Sequence, residues 1–154
     1  MKKWRWFALG IAVILLGRME HTGAQINYLE PVETVLITQN NGNIIIETDT
    51  GAKGVGSNLE KAIENLHSST ASEIFLDTAQ YLLVSSRTEK MISQMTAVIR
   101  PAARVCKIRG EVDLAEVTGY LRTHPPKVQL KDLMAEEAKL QTLYYQEGRG
   151  QLAE

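Results

Sequence analysis

The chain has 154 residues, 44% of them hydrophobic and 23% charged, which supplies apolar material for one core and excludes a disordered polar tract. Its formal net charge of −1 excludes a protein built around neutralising nucleic-acid phosphates, which needs a surplus of Lys and Arg. A single cysteine, Cys106, excludes an internal disulfide.

Residues 1–24 open with Lys2, Lys3 and Arg5, pass into the apolar run Phe7–Leu16, and close on Thr22-Gly23-Ala24. A charged start, a short apolar stretch and a small-residue end form the layout of a secretory signal peptide. The run is too short to fill the roughly 20-residue span of a membrane helix. Three readings stay open: a cleaved leader, with the mature chain starting at Gln25, an uncleaved membrane anchor, or a soluble cytosolic protein whose apolar start has no targeting role. In the first two, which the pattern favours, the basic start stays inside and the body lies extracytoplasmic. Without residues 1–24 the balance is 13 basic against 17 acidic side chains.

Residues 25–33 read as an extended linker, with Pro31 disfavouring helix before it. The runs 34–39 and 43–49, rich in β-branched residues and separated by Asn41-Gly42, predict an antiparallel hairpin. Gly54-Val55-Gly56 then leads into Ser57-Asn58-Leu59-Glu60, which has capping-box spacing. Leu59, Ala62, Ile63 and Leu66 lie on one stripe of a helix over 58–67. Glu73–Leu76 and Gln80–Val84 read as strand, with a turn at Asp77–Gln80 between them.

Ser86-Arg87-Thr88-Glu89 repeats the capping spacing ahead of a helix whose stripe is Met91, Ile92, Met95 and Ile99, ended by Arg100-Pro101. Ala103–Ile108 is a strand. Asp113 caps a third helix with Leu114, Val117 and Leu121 inward and Tyr120 at the edge, and Pro125-Pro126 stops it. Lys127–Leu130 reads as short and extended. Residues 131–147, rich in Glu, Ala, Leu and Lys, predict a last helix on Leu133, Leu140 and Leu143. Gly148 begins a frayed tail, 148–154. The whole reads as one α+β domain over 34–147: a hairpin, then alternating helices and strands, its mixed sheet covered by helices on one face.

Chemistry-bearing groups are sparse. His67 and His124 stand at helix ends without metal-ligand spacing, so no metal is expected. Cys106 reads as a buried small hydrophobe; a reactive thiol would draw on Arg104 and Lys107. There is no Gly-x-Ser-x-Gly and no evident triad, so no catalytic residue and no cofactor is assigned. One candidate binding element remains, Gly54, Gly56, Ser57 and Asn58. A glycine turn before a helix N-terminus offers N–H donors to an anion, although Leu59 stands where a dinucleotide fingerprint has its third glycine. Tyr28, Tyr81, Tyr144 and Tyr145 are candidate contact residues.

Gly54-x-Gly56-x-x-Leu59-Glu60-x-Ala62-x-x-x-Leu66, Ile74-Phe75-Leu76, Tyr81–Val84 and Arg104–Gly110 together resemble the N-terminal domain of the spore germinant-receptor C subunit, the Ger(x)C family, across residues 34–122. The chain departs from that family in having no lipobox cysteine at the end of its leader and in its shorter length. The resemblance implies a non-enzymatic, membrane-associated protein of an endospore former, with envelope or membrane proteins as partners and no nucleic acid. The alternative reading is a secreted domain that binds a small anion.

Overall fold

The computed structural model describes residues 30–146 and 148–153. The leader, its expected cleavage site and Tyr28 lie outside the described residues. Among those described, no helix is long and apolar enough to cross a membrane.

The chain enters through β1 (Glu30–Pro31) and forms the predicted hairpin from β2 (Thr34–Asn40) and β3 (Asn43–Thr48). Asn41 and Gly42 take φ of 48° and 83°, the left-handed pair that a two-residue hairpin turn requires. The next strand, β4 (Lys53–Gly56), adds antiparallel to β3, and α1 (Leu59–Ser69) follows. Then come β5 (Ile74–Phe75), which pairs in parallel with β1, and β6 (Tyr81–Val84), parallel to β2. A one-turn α2 (Ile92–Met95) leads to β7 (Arg104–Arg109). Beyond it lie α3 (Leu114–Thr123), α4 (Leu130–Met134), β8 (Gln141–Gln146) and β9 (Arg149–Ala153). The principal sheet has seven strands in the order β4-β3-β2-β6-β7-β8-β9; the pairs from β2 to β8 are parallel and both flanks are antiparallel.

The α+β class and the mixed sheet agree with the sequence reading, but the helical cover is not confined to one face. Val35, Leu82 and Val105 meet α1, α2 and α4 through Leu66, Met95 and Leu130. Leu36, Leu83 and Cys106 meet α3 through Leu114, Val117 and Leu121. The reason is visible in the strands: Thr34–Ile37 and Tyr81–Val84 are buried at every position, as strands covered on both sides must be.

Two predicted helices are corrected. Among the described residues of 131–147 only α4 is helical; Glu136 turns the chain with φ 57°, and β8 follows. Leu133 and Leu140 pack on the first face and Leu143 on the second, so the three leucines never share a helical stripe. Gln141–Gln146 instead alternates in burial with the period of a strand. Residues 149–153 of the expected frayed tail form β9, which pairs Leu152 with Leu143 and Gly150 with Tyr145. The helix expected after Ser86 shrinks to a 3₁₀ turn, Glu89–Met91, and the single turn of α2. Thr88 replaces the expected capping box: its buried hydroxyl donates to the Ile37 carbonyl at 2.7 Å and accepts the Ser85 N–H at 3.0 Å.

Candidate functional site

Gly54 and Gly56 lie within β4, not in a loop, which corrects the anion-cradle reading. A Cβ on Gly54 would meet the Ala62 carbonyl and, at 2.6 Å, the Leu66 Cβ; one on Gly56 would meet the Ala62 nitrogen and, at 2.6 Å, the Lys61 carbonyl carbon. The glycines therefore let α1 press its backbone onto the strand. The helix cap is Asn58 rather than Ser57: its Oδ1 accepts the Lys61 N–H at 2.9 Å. Packing and capping thus account for both glycines and for Asn58.

Among the described residues no group of three His, Cys, Asp or Glu is placed to hold a metal ion. His124 stacks on Tyr120 with ring centroids 4.7 Å apart, and its Nδ1 lies 2.8 Å from the Thr123 hydroxyl. His67 occupies the last turn of α1. Cys106 is fully buried, and burial pushes its thiol up to about 12, so it lacks the thiolate character of a nucleophile.

The tyrosine candidates separate by environment. Tyr81 is in the core; burial first, and then the Glu33 carboxylate, raise its hydroxyl above the usual range. Tyr145 lies edge-on to Tyr120 at 5.8 Å. Tyr144 is 45% exposed, and its ring faces the Arg109 guanidinium at 5.7 Å.

Pairing brings that surface together. Arg109 on β7 is opposite Tyr144 on β8, which is opposite Gln151 on β9, while Gln146 is opposite Arg149. All five project to one side and line an open depression of about 700 Å³. Tyr120 braces the hairpin from behind: its hydroxyl donates to the Gly150 carbonyl at 2.9 Å, and its ring occupies the space a Cβ on residue 150 would need.

A second concavity, of about 470 Å³, lies at the carboxyl ends of β2, β6 and β7 and includes Thr38, Gln39, Ser85, Ser86, Arg87 and Arg109. The sequence reading singles out Tyr144 and Tyr145 of the first place but assembles neither place, because each is built by pairing between distant strands. The alternation in Gln141–Gln146, with Gly148 just beyond, was the available pointer to the first.

The fold and these surfaces define a mixed-sheet α+β domain with helices on both faces, in which Tyr144, Arg109 and Arg149 stand exposed on the β7–β9 flank. No protein-family model, curated protein or solved structure matches the chain.

Proposed function

We propose that this chain is a non-enzymatic interaction module that works outside the cytoplasm and docks an envelope or membrane protein through the β7–β9 surface. The observation that carries the reading is Tyr144, an exposed aromatic ring held against Arg109 on a strand platform. Tyr and Arg are the residue types that most often anchor protein interfaces, because they combine large contact area with directional polar groups. Gln146, Arg149 and Gln151 supply a polar rim around that pair. Export or anchoring rests on the order of charge and apolarity in residues 1–24. A role in sporulation or germination rests on the resemblance of residues 34–122 to the Ger(x)C N-terminal domain.

Two measurements test it. A reporter enzyme active only outside the cytoplasm, fused after residue 154, is expected to be active; activity only of a cytoplasmic reporter at the same position rejects the location. A photo-crosslinking residue at position 144 in the native host is expected to join the chain to one defined envelope protein, and a crosslinker at the exposed position 64 on α1 is not. Loss of that protein from detergent pull-downs with Tyr144→Ala, at unchanged melting temperature, supports the reading. Undiminished recovery with Tyr144→Ala removes the surface from consideration.

A further inference from the structure

Strand register spaces two cations across the platform of β7, β8 and β9. Arg109 lies opposite Tyr144, and Tyr144 opposite Gln151; two residues along, Gln146 lies opposite Arg149. Neighbouring strands run about 4.8 Å apart and same-face residues follow at about 6.7 Å, so the backbones that carry Arg109 and Arg149 stand about 12 Å apart. Both side chains are exposed, share one face and line one depression. Arg109 rests over the Tyr144 ring at 5.7 Å. A ring accepts no conventional hydrogen bond in the guanidinium plane, so the N–H fork of Arg109 stays available to a carboxylate.

The chain itself supplies little to neutralise this pair. Among the described residues neither Arg109 nor Arg149 has a carboxylate within salt-bridge distance, whereas Lys53, Lys107 and Arg122 each have one. None of the described residues lining the depression is acidic. Without residues 1–24 the chain carries 17 acidic against 13 basic side chains, so the platform's charge is opposite in sign to that of the whole.

The uncharged members narrow the ligand. Gln146 and Gln151 are exposed beside the arginines, and each offers a carbonyl acceptor and an amide donor. A peptide group presents the matching donor and acceptor, whereas an ionised phosphoryl group presents acceptors alone. Two arginines are also fewer than the clusters of about four to eight basic residues that hold proteins to anionic bilayers. We infer that the platform recognises an acidic stretch of protein chain, two of whose carboxylates reach Arg109 and Arg149 while its peptide groups meet Gln146 and Gln151 over the Tyr144 ring. The inference rests on the docking reading and adds to it the chemistry of the partner.

The test presents the full-length protein to a random dodecapeptide library displayed on phage. Clones lost with Tyr144→Ala are expected to be enriched in Asp and Glu, and their synthetic peptides are then titrated by fluorescence anisotropy. Arg109→Gln and Arg149→Gln should each weaken binding about tenfold, the loss of one charge-assisted contact, at unchanged melting temperature. Arg109→Lys and Arg149→Lys should fall between the Gln variants and the unsubstituted chain, since lysine keeps the charge without the fork. Lys61→Gln, on α1 at the opposite edge of the sheet, should match the unsubstituted chain. Glu147→Gln removes the acidic side chain nearest to Arg149 in sequence and should tighten binding. Raising salt from about 0.05 to about 0.5 M should weaken it several-fold through screening.

Tyr144-dependent clones without acidic enrichment overturn the acidic partner and leave the docking surface standing. So does undiminished binding by the Arg109→Gln/Arg149→Gln double variant. Recovery of no Tyr144-dependent clone also overturns it, while photo-crosslinking at position 144 still decides the surface itself. An equal loss with Lys61→Gln, or weaker binding with Glu147→Gln, contradicts the local charge argument and overturns the inference. Flotation of the protein with vesicles of phosphatidylcholine and phosphatidylglycerol should be unaffected by the double variant; flotation that needs both arginines assigns them to a membrane surface and overturns the inference.

Discussion

The Asn65 side-chain carbonyl accepts the backbone N–H of Val55 at 2.9 Å, so α1 covers the outer edge of the sheet as well as its face. One turn further on, the Ser69 hydroxyl donates to the Lys53 carbonyl at 3.1 Å. Both backbone groups belong to edge strand β4, where unpaired N–H and C=O groups would otherwise template pairing with another chain. Asn65→Ala is expected to cost about 1 kcal/mol in urea denaturation and to raise self-association in sedimentation velocity. Unchanged values in both measurements would show that the edge needs no cover.

The glycines make opposite predictions according to their surroundings. Gly54→Ala drives a Cβ into the Ala62 carbonyl, a backbone atom that cannot swing aside, and should destabilise the fold by about 1–3 kcal/mol, the usual cost of overpacking. Gly119 is exposed in the middle of α3, and a Cβ there would meet nothing within 4 Å. Gly119→Ala should stabilise by about 0.5–1 kcal/mol, since alanine loses less backbone entropy on becoming helical. Chemical denaturation of the two variants reads both signs.

Thr34 and Thr118 place their hydroxyl oxygens 2.7 Å apart in the core, and Thr118 also lies 2.7 Å from the Leu114 carbonyl. Thr118→Val leaves the buried Thr34 hydroxyl without its partner and should cost about 1–3 kcal/mol, whereas Thr34→Val leaves Thr118 its Leu114 carbonyl and should cost less. The double variant should cost clearly less than the sum, because two apolar groups satisfy each other. A double-mutant cycle with additive losses would contradict the coupling.

Cys106 links stability to alkaline pH. Its thiol is raised from 9.0 to about 12 by burial, so the folded state holds the proton more tightly than the unfolded chain. The resulting stabilisation is complete below pH 9 and is lost as pH rises through 9 toward 12, while the unfolded thiol ionises first. The urea midpoint of Cys106→Ala should therefore fall less steeply over that interval than that of the unsubstituted protein. At pH 8 the folded protein should leave a thiol reagent unreacted and should react with one equivalent after unfolding.

Local chemistry made part of this fold legible. Asn41-Gly42 announced the hairpin, Asp113 announced α3, where its Oδ1 accepts the Ala115 N–H at 2.8 Å, and Leu59, Ala62 and Leu66 marked the buried stripe of α1. The C-terminal hairpin was misread because Leu133, Leu140 and Leu143 have helical spacing while packing against opposite faces of a sheet not yet visible. Gly54 and Gly56 drew attention for the right reason, close backbone approach, but what approaches is α1 rather than an anion. The Arg109–Tyr144 platform and the concavity at the carboxyl ends of β2, β6 and β7 were out of reach, since each depends on strand register and on where a neighbouring strand stops.

The parallel strands give the molecule two poles. Glu33 grips Arg122 through paired 3.0 Å contacts to Arg122 Nε, and β1 lies against β5, all at the end where β2 begins. Arg87 and Arg109 stand at the far end. Tension applied ahead of Glu30 and beyond Val84 would run along the strand axes. The β2–β6 ladder would then be loaded in shear, many rungs at once, and not peeled open one rung at a time.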